Sequence, residues 1–191
     1  MTKRTMLLIG FLILAVASRF LVLVNPSWAN FSPLGSLALF AGTYALSKRQ
    51  AILWALLPIW ISNLILNNLV YPQYFEGFSW GFDLVHLSLF AGIAILGSCI
   101  SNLTSFVGSN LAAVLGFFIL SNLAVWAGDV IGYGFTAGNA VVYSKDLAGL
   151  MSCYAAALPF LKNAILSQFF FSTVFFGAFE IVKRKALAPQ Q

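Results

Sequence analysis

Apolar residues run through this chain in long blocks separated by short polar or proline-containing joints. The blocks cover about 5–24, 33–47, 51–70, 83–101, 109–128 and 160–182. None alternates like a half-buried strand or carries the polar stripe of a surface helix, so each reads as a helix that is apolar all round. Blocks of ~20 such residues match the thickness of a bilayer's hydrocarbon core. The predicted fold class is all-α: an integral membrane bundle of about six transmembrane helices, with one domain over 1–191.

The joints support this division. Asn25-Pro26-Ser27 ends the first block, because proline disfavours helix in the residue before it. Ser32-Pro33 opens the second, with serine as cap and proline at the first helical position. Lys48-Arg49-Gln50 makes a tight turn into the third block, and Tyr71-Pro72 closes it. Residues 129–146, with Gly132, Gly134 and Gly138, form the longest loop. The stretch 146–157 reads as a short helix at the membrane surface or dipping into the bundle, ended by Pro159. In the second block, Ala38-x-x-x-Gly42 and Ala41-x-x-x-Ala45 permit close helix approach. Ala15-Val16-Ala17 imitates a signal-peptidase site, but apolar residues resume at 20–24, so the first helix is expected to stay uncleaved.

Composition and charge sharpen the picture. Only 8% of residues are charged and 61% are hydrophobic, against roughly 25% charged in soluble domains. Such a chain cannot cover a water-facing surface. The net charge of +5 is not gathered into a nucleic-acid patch; the basic residues sit at block ends. Lys3, Arg4, Lys48, Arg49, Lys183, Arg184 and Lys185 fall on one side of an alternating topology. Lys145 falls on the other, and Arg19 and Lys162 lie within blocks. The positive-inside bias then predicts cytoplasmic termini. Cys99 and Cys153 stand apart in apolar surroundings, and neither a disulfide nor a zinc site is expected.

With that orientation, polar residues collect toward the outer ends of the helices, while the inner halves are nearly featureless. Ionisable groups within a span cost ~2.5–3.5 kcal/mol at the bilayer centre, so they tend to face the bundle or a wet cavity. An outward pocket for a small polar ligand is therefore expected, lined by Asn63, Asn67, His86, Asn122, Trp126, Tyr154, Asn163 and Gln168. Arg19, Asp83, Asp129 and Lys162 supply charge at its mouth. A blander reading stands beside it. Trp28, Trp80, Trp126, Tyr71 and Tyr133 form an interfacial aromatic belt, Arg19 and Lys162 snorkel, and Asn67-Asn68 caps a helix.

Asp83-x-x-His86 places a carboxylate and an imidazole on one helix face. It is the chain's sole histidine, and no nucleophile elbow or zinc-protease motif accompanies it. No enzyme activity, metal or cofactor is expected. There is no phosphate-binding loop, so active uptake would need an external motor or an ion gradient.

The stretches Asn30-Phe31-Ser32-Pro33-Leu34-Gly35-Ser36-Leu37-Ala38-Leu39-Phe40-Ala41-Gly42, Ser62-Asn63-Leu64-Ile65-Leu66, Ser121-Asn122-Leu123-Ala124-Val125-Trp126 and Cys153-Tyr154-Ala155-Ala156-Ala157-Leu158-Pro159-Phe160 resemble the signature of a small bacterial membrane family of unknown function. More distantly, the layout is similar to the S components of energy-coupling factor transporters. That likeness implies capture of a vitamin-like micronutrient or ion from outside a bacterial inner membrane. It also implies a transmembrane partner subunit driven by ATPases. The first helix departs from the S-component pattern, since Gly10, Ala15 and Ala17 lack the Ala-x-x-x-Ala docking spacing. The alternative expectation is a structural or accessory subunit of a larger membrane complex, with the bilayer and protein as its only partners.

Overall fold

A computed structural model describes residues 3–75, 77–128 and 143–187, and among these the regular structure is entirely helical. The helices are α1 (Lys3–Ser18), the short α2 (Leu21–Val24), α3 (Leu34–Tyr44), α4 (Lys48–Ile65), α5 (Leu84–Gly97), α6 (Leu103–Trp126) and α7 (Leu147–Leu187). Local chemistry fixes their starts. The Gln50 N–H donates to Ser47 Oγ at 3.2 Å ahead of α4, and Asn102 and Ser105 form a reciprocal capping box ahead of α6. Asp146 accepts the Gly149 N–H and the Ser144 hydroxyl, each at 2.8 Å, ahead of α7. These two bonds hold its carboxyl below the usual carboxylate range.

Four stretches are long and apolar enough to cross a membrane: Met6–Val24, Lys48–Val70, Leu103–Trp126 and Leu147–Arg184. The other two expected spans are shorter than their apolar blocks. Helix α3 has 11 residues and α5 has 14, which at 1.5 Å per residue gives about 16 and 21 Å. Neither matches the ~30 Å core of a bilayer. Ala45 turns to extended backbone after α3, and Ser98 begins a turn after α5.

A second difference lies at Pro159. The expected short helix over 146–157 and the span over 160–182 are one continuous helix, α7, with Pro159 inside it. Proline deletes one backbone donor, a loss that neighbouring groups in a membrane bundle can absorb. The helix formers Ala155, Ala156, Ala157 and Leu158 carry the helix up to it. At 41 residues, α7 is about 61 Å long, twice the hydrocarbon thickness.

The core centres on α3, which packs on α4, α5 and α7. Phe40 is fully buried and lies edge-on to Phe11, Phe176 and Phe179 at 5.4–5.5 Å, while Phe11 stacks on Phe175 at 4.1 Å. The small residues expected to allow close approach do so between α3 and α5. A Cβ at Gly42 would fall on the carbonyl of Ala94, and one at Gly97 on the carbonyl of Leu39. The Thr43 hydroxyl donates to the Gly97 carbonyl at 2.8 Å across the same seam. The two short helices therefore meet closely near their C-terminal ends.

Candidate functional site

A cavity of about 650 Å³ occupies the space where α3 and α5 begin. Leu34 and Gly35 from the start of α3, and Asp83 and His86 from the start of α5, line it together with α1, α4, α6 and α7 residues. Two loops shape its rim. In the first, Asn30 sits in the left-handed backbone region (φ 62°), which asparagine tolerates better than most residues. The Asn163 amide donates to the carbonyls of Ser27 (2.7 Å) and Ala29 (3.0 Å), tying that loop to α7. In the second, Gly81 takes φ 70°, and an added Cβ there would lie 3.0 Å from the Leu64 backbone nitrogen of α4. Asn67 donates to Ser79 Oγ at 3.0 Å, and Asn68 donates to the Ser79 carbonyl at 2.7 Å while accepting the Ser79 N–H.

Of the candidate residues, Arg19, Asn63, Asp83, His86, Asn122 and Gln168 line the cavity. Arg19 Nη2 donates to Asn63 Oδ1 at 3.0 Å, and the Asn63 amide donates to the Gly81 carbonyl at 3.3 Å. The Asp83–His86 pair forms as its spacing predicts. Asp83 Oδ1 accepts the His86 N–H at 3.0 Å as the cap of α5, and Oδ2 lies 2.6 Å from His86 Nδ1. The imidazole faces Phe117, ring centroids 5.5 Å apart. Asn122 turns its amide back to the Phe118 carbonyl of its own helix at 2.7 Å.

The remaining candidates do not line the cavity. Asn67 and Asn163 hold the rim loops, as above. Trp126 donates to the Ser144 carbonyl at 2.9 Å and lies under the Lys145 ammonium, 5.9 Å from ring centroid to Nζ. The Tyr154 hydroxyl donates to the Ile119 carbonyl at 2.6 Å. Lys162 is exposed, and Asp129 lies outside the described residues.

One polar cluster lies where few polar groups were expected. Asn110, fully buried in α6, accepts from Gln168 Nε2 at 2.8 Å and from the Ser172 hydroxyl at 2.6 Å. The Asn110 amide donates to the Phe106 carbonyl at 2.8 Å, and the Ser36 hydroxyl donates to the Gln168 carbonyl at 2.8 Å. This network ties α3, α6 and α7 together beneath the cavity. Its signal was present in the sequence as Ser109-Asn110, a polar pair inside an apolar helix.

The cavity wall is predominantly apolar, with Phe90, Phe117, Phe118 and Phe160 contributing. Asp83 is the one described carboxylate on it. Among the described residues no group of three or more His, Cys, Asp or Glu is placed to hold a metal ion. The two cysteines are unpaired thiols, Cys99 exposed and Cys153 buried. The arrangement suits recognition: a few convergent polar groups against a large apolar surface.

No curated protein and no solved structure matches the chain. A family model described as a family of unknown function (DUF6580) matches residues 1–190. The chain belongs to that family of unknown function.

Proposed function

We propose that this protein is a membrane-embedded binding protein that takes a small molecule into the cavity at the start of α3 and α5. The observation that carries the reading is the cavity itself. At about 650 Å³ it falls within the ~300–1,000 Å³ typical of small-molecule sites, and polar side chains from α4, α5, α6 and α7 converge on it. In the full reading the chain makes six crossings of a bacterial inner membrane with both ends inside, and the cavity opens outward. Its role is then S-component-like: capture of a vitamin-like micronutrient or ion for a partner subunit and an ATPase module. The absence of a phosphate-binding loop fits a chain that leaves the energy source to others.

Native mass spectrometry of the full chain, purified in mild detergent, tests this. A co-purifying small-molecule mass is expected, and Ala157→Trp, which fills part of the cavity wall, should remove it. A bare chain, or a mass retained by Ala157→Trp, would count against the site. A stoichiometric protein partner with no small molecule would favour the accessory-subunit reading.

A further inference from the structure

The cavity holds one cation whose hydrogen-bonding capacity is largely unspent. A guanidinium carries five N–H donors. Among the described residues, the protein group that accepts from Arg19 is the neutral Asn63 Oδ1, at 3.0 Å. Asp83, the described carboxylate on the same wall, already has both oxygens engaged by His86. Arg19 lies in the apolar stretch Met6–Val24, where an uncompensated charge is costly. Asp83 acts on the guanidinium through space without a hydrogen bond to it, so most of the Arg19 donors are left for an acceptor from outside the protein.

Three further features point the same way. Ser18, next to Arg19, meets Ser32 at 3.3 Å between hydroxyls, just before α3 begins. Asn63 links Arg19 to Gly81, just before α5. The guanidinium thus shares the cavity with the N-terminal ends of α3 and α5; the Asp83 carboxylate already caps α5, and the end of α3, with a neutral cap, favours negative charge. The Leu34 N–H at the start of α3 donates to Ser32 Oγ at 3.4 Å, a long neutral cap that brings no negative charge there. The wall is predominantly apolar, with Phe90, Phe117, Phe118 and Phe160 on it, so it accommodates an organic body better than a hydrated inorganic ion.

Resting on the binding reading above, we propose that the ligand is an amphipathic organic carboxylate. Its carboxylate takes a bidentate bond from Arg19 at the N-terminal ends of α3 and α5. Its apolar body lies among Phe90, Phe117 and Phe118. Asn63 acts as a positioning residue, holding the guanidinium without neutralising it.

The test uses the full chain in phosphatidylcholine nanodiscs with two matched pairs of probes, phenylacetate with phenylacetamide and indole-3-acetate with indole-3-acetamide. Saturation-transfer NMR reads the affinities. Each acid is expected to bind at least tenfold more tightly than its amide. Arg19→Gln should erase that preference, and Arg19→Lys should keep part of it. Asn63→Asp, which gives the guanidinium an internal carboxylate, should erase it while leaving the charge in place. Equal binding of acid and amide to the wild type, no acid binding at all, or a preference that survives Arg19→Gln would overturn the carboxylate proposal. A neutral co-purifying mass lost in Ala157→Trp would leave the cavity reading standing while this inference fell.

Discussion

Replacing Gly42 by alanine should separate the two short helices where they meet near their C-terminal ends. The added Cβ would sit 1.9 Å from the Ala94 carbonyl oxygen and 2.9 Å from both the Ala94 carbonyl carbon and Gly97 Cα. Every one of these atoms is backbone, so no rotamer change relieves the clash. To reach an ordinary 3.4 Å contact the helices must part by about 1.5 Å. A gap that wide forfeits most of the dispersion attraction across the seam, since 0.5–1 Å already costs about a quarter to a half of it. It also breaks the Thr43–Gly97 bond, about 1 kcal/mol net. With overpacking at about 1–3 kcal/mol, the expected loss is roughly 2–4 kcal/mol. For chains of this size that corresponds to a fall in melting temperature of roughly 5–15 °C. Tryptophan-fluorescence melting in dodecylmaltoside micelles measures it, with Gly177→Ala as control because nothing lies within 4 Å of that position. If Gly42→Ala melts together with Gly177→Ala and the wild type, the seam is not packed as described.

Two further predictions follow from the buried network and from the charge pattern. Asn110→Ala removes the acceptor shared by the Gln168 amide and the Ser172 hydroxyl and leaves them only their long 3.5 Å mutual contact, at a total cost of about 1–3 kcal/mol. In a double-mutant cycle, adding Ser172→Ala should cost less on that background than on the wild type, and strictly additive losses would show that the three groups act apart. A membrane-impermeant maleimide should reach Cys99, in the exposed turn after α5, only after cells are permeabilised, whereas a Lys145→Cys variant should label on intact cells. The reverse pattern would overturn cytoplasmic termini.

The helices that stand alone in length are legible because apolar composition reports them directly: α1, α4 and α6 each overlap an expected block, with ends shifted by a few residues. Helices α3 and α5 were overestimated because Ala45-Leu46 and Cys99-Ile100 are as apolar as the helices they follow. Those helices end where Ala45 turns to extended backbone and Ser98 begins a turn, changes that apolar composition does not display. The break at Pro159 was overread for a related reason. Proline's local cost is legible, but the packing of α7 on α3 and α6 that outweighs it is not. Among the site candidates, a polar residue in an apolar block marked a place of interest without saying which way it is used. Asn63 and Asn67 are one helical turn apart, yet the first lines the cavity and the second reaches Ser79. Only a partner distant in sequence separates those cases. Asn110 lies away from the polar ends of the blocks, and its role follows from three helices meeting around it.

The rim amides and the cavity amides nevertheless belong to one physical arrangement. Helices α3 and α5, shorter than their neighbours and packed together near their C-terminal ends, both begin at the cavity. The chain enters each as non-helical backbone, and in an apolar setting its carbonyls and N–H groups need partners. Asn163 supplies them for the loop before α3, and Asn67 and Asn68 for the loop before α5. Asn63 serves both purposes, with one end on Gly81 and the other on Arg19. The concentration of asparagine around this cavity thus follows from the shortness of α3 and α5, and recognition falls to the few polar groups those loops leave facing inward. Truncating Asn67 or Asn163 should therefore act on stability first and on ligand affinity through it, whereas Arg19 should act on affinity directly.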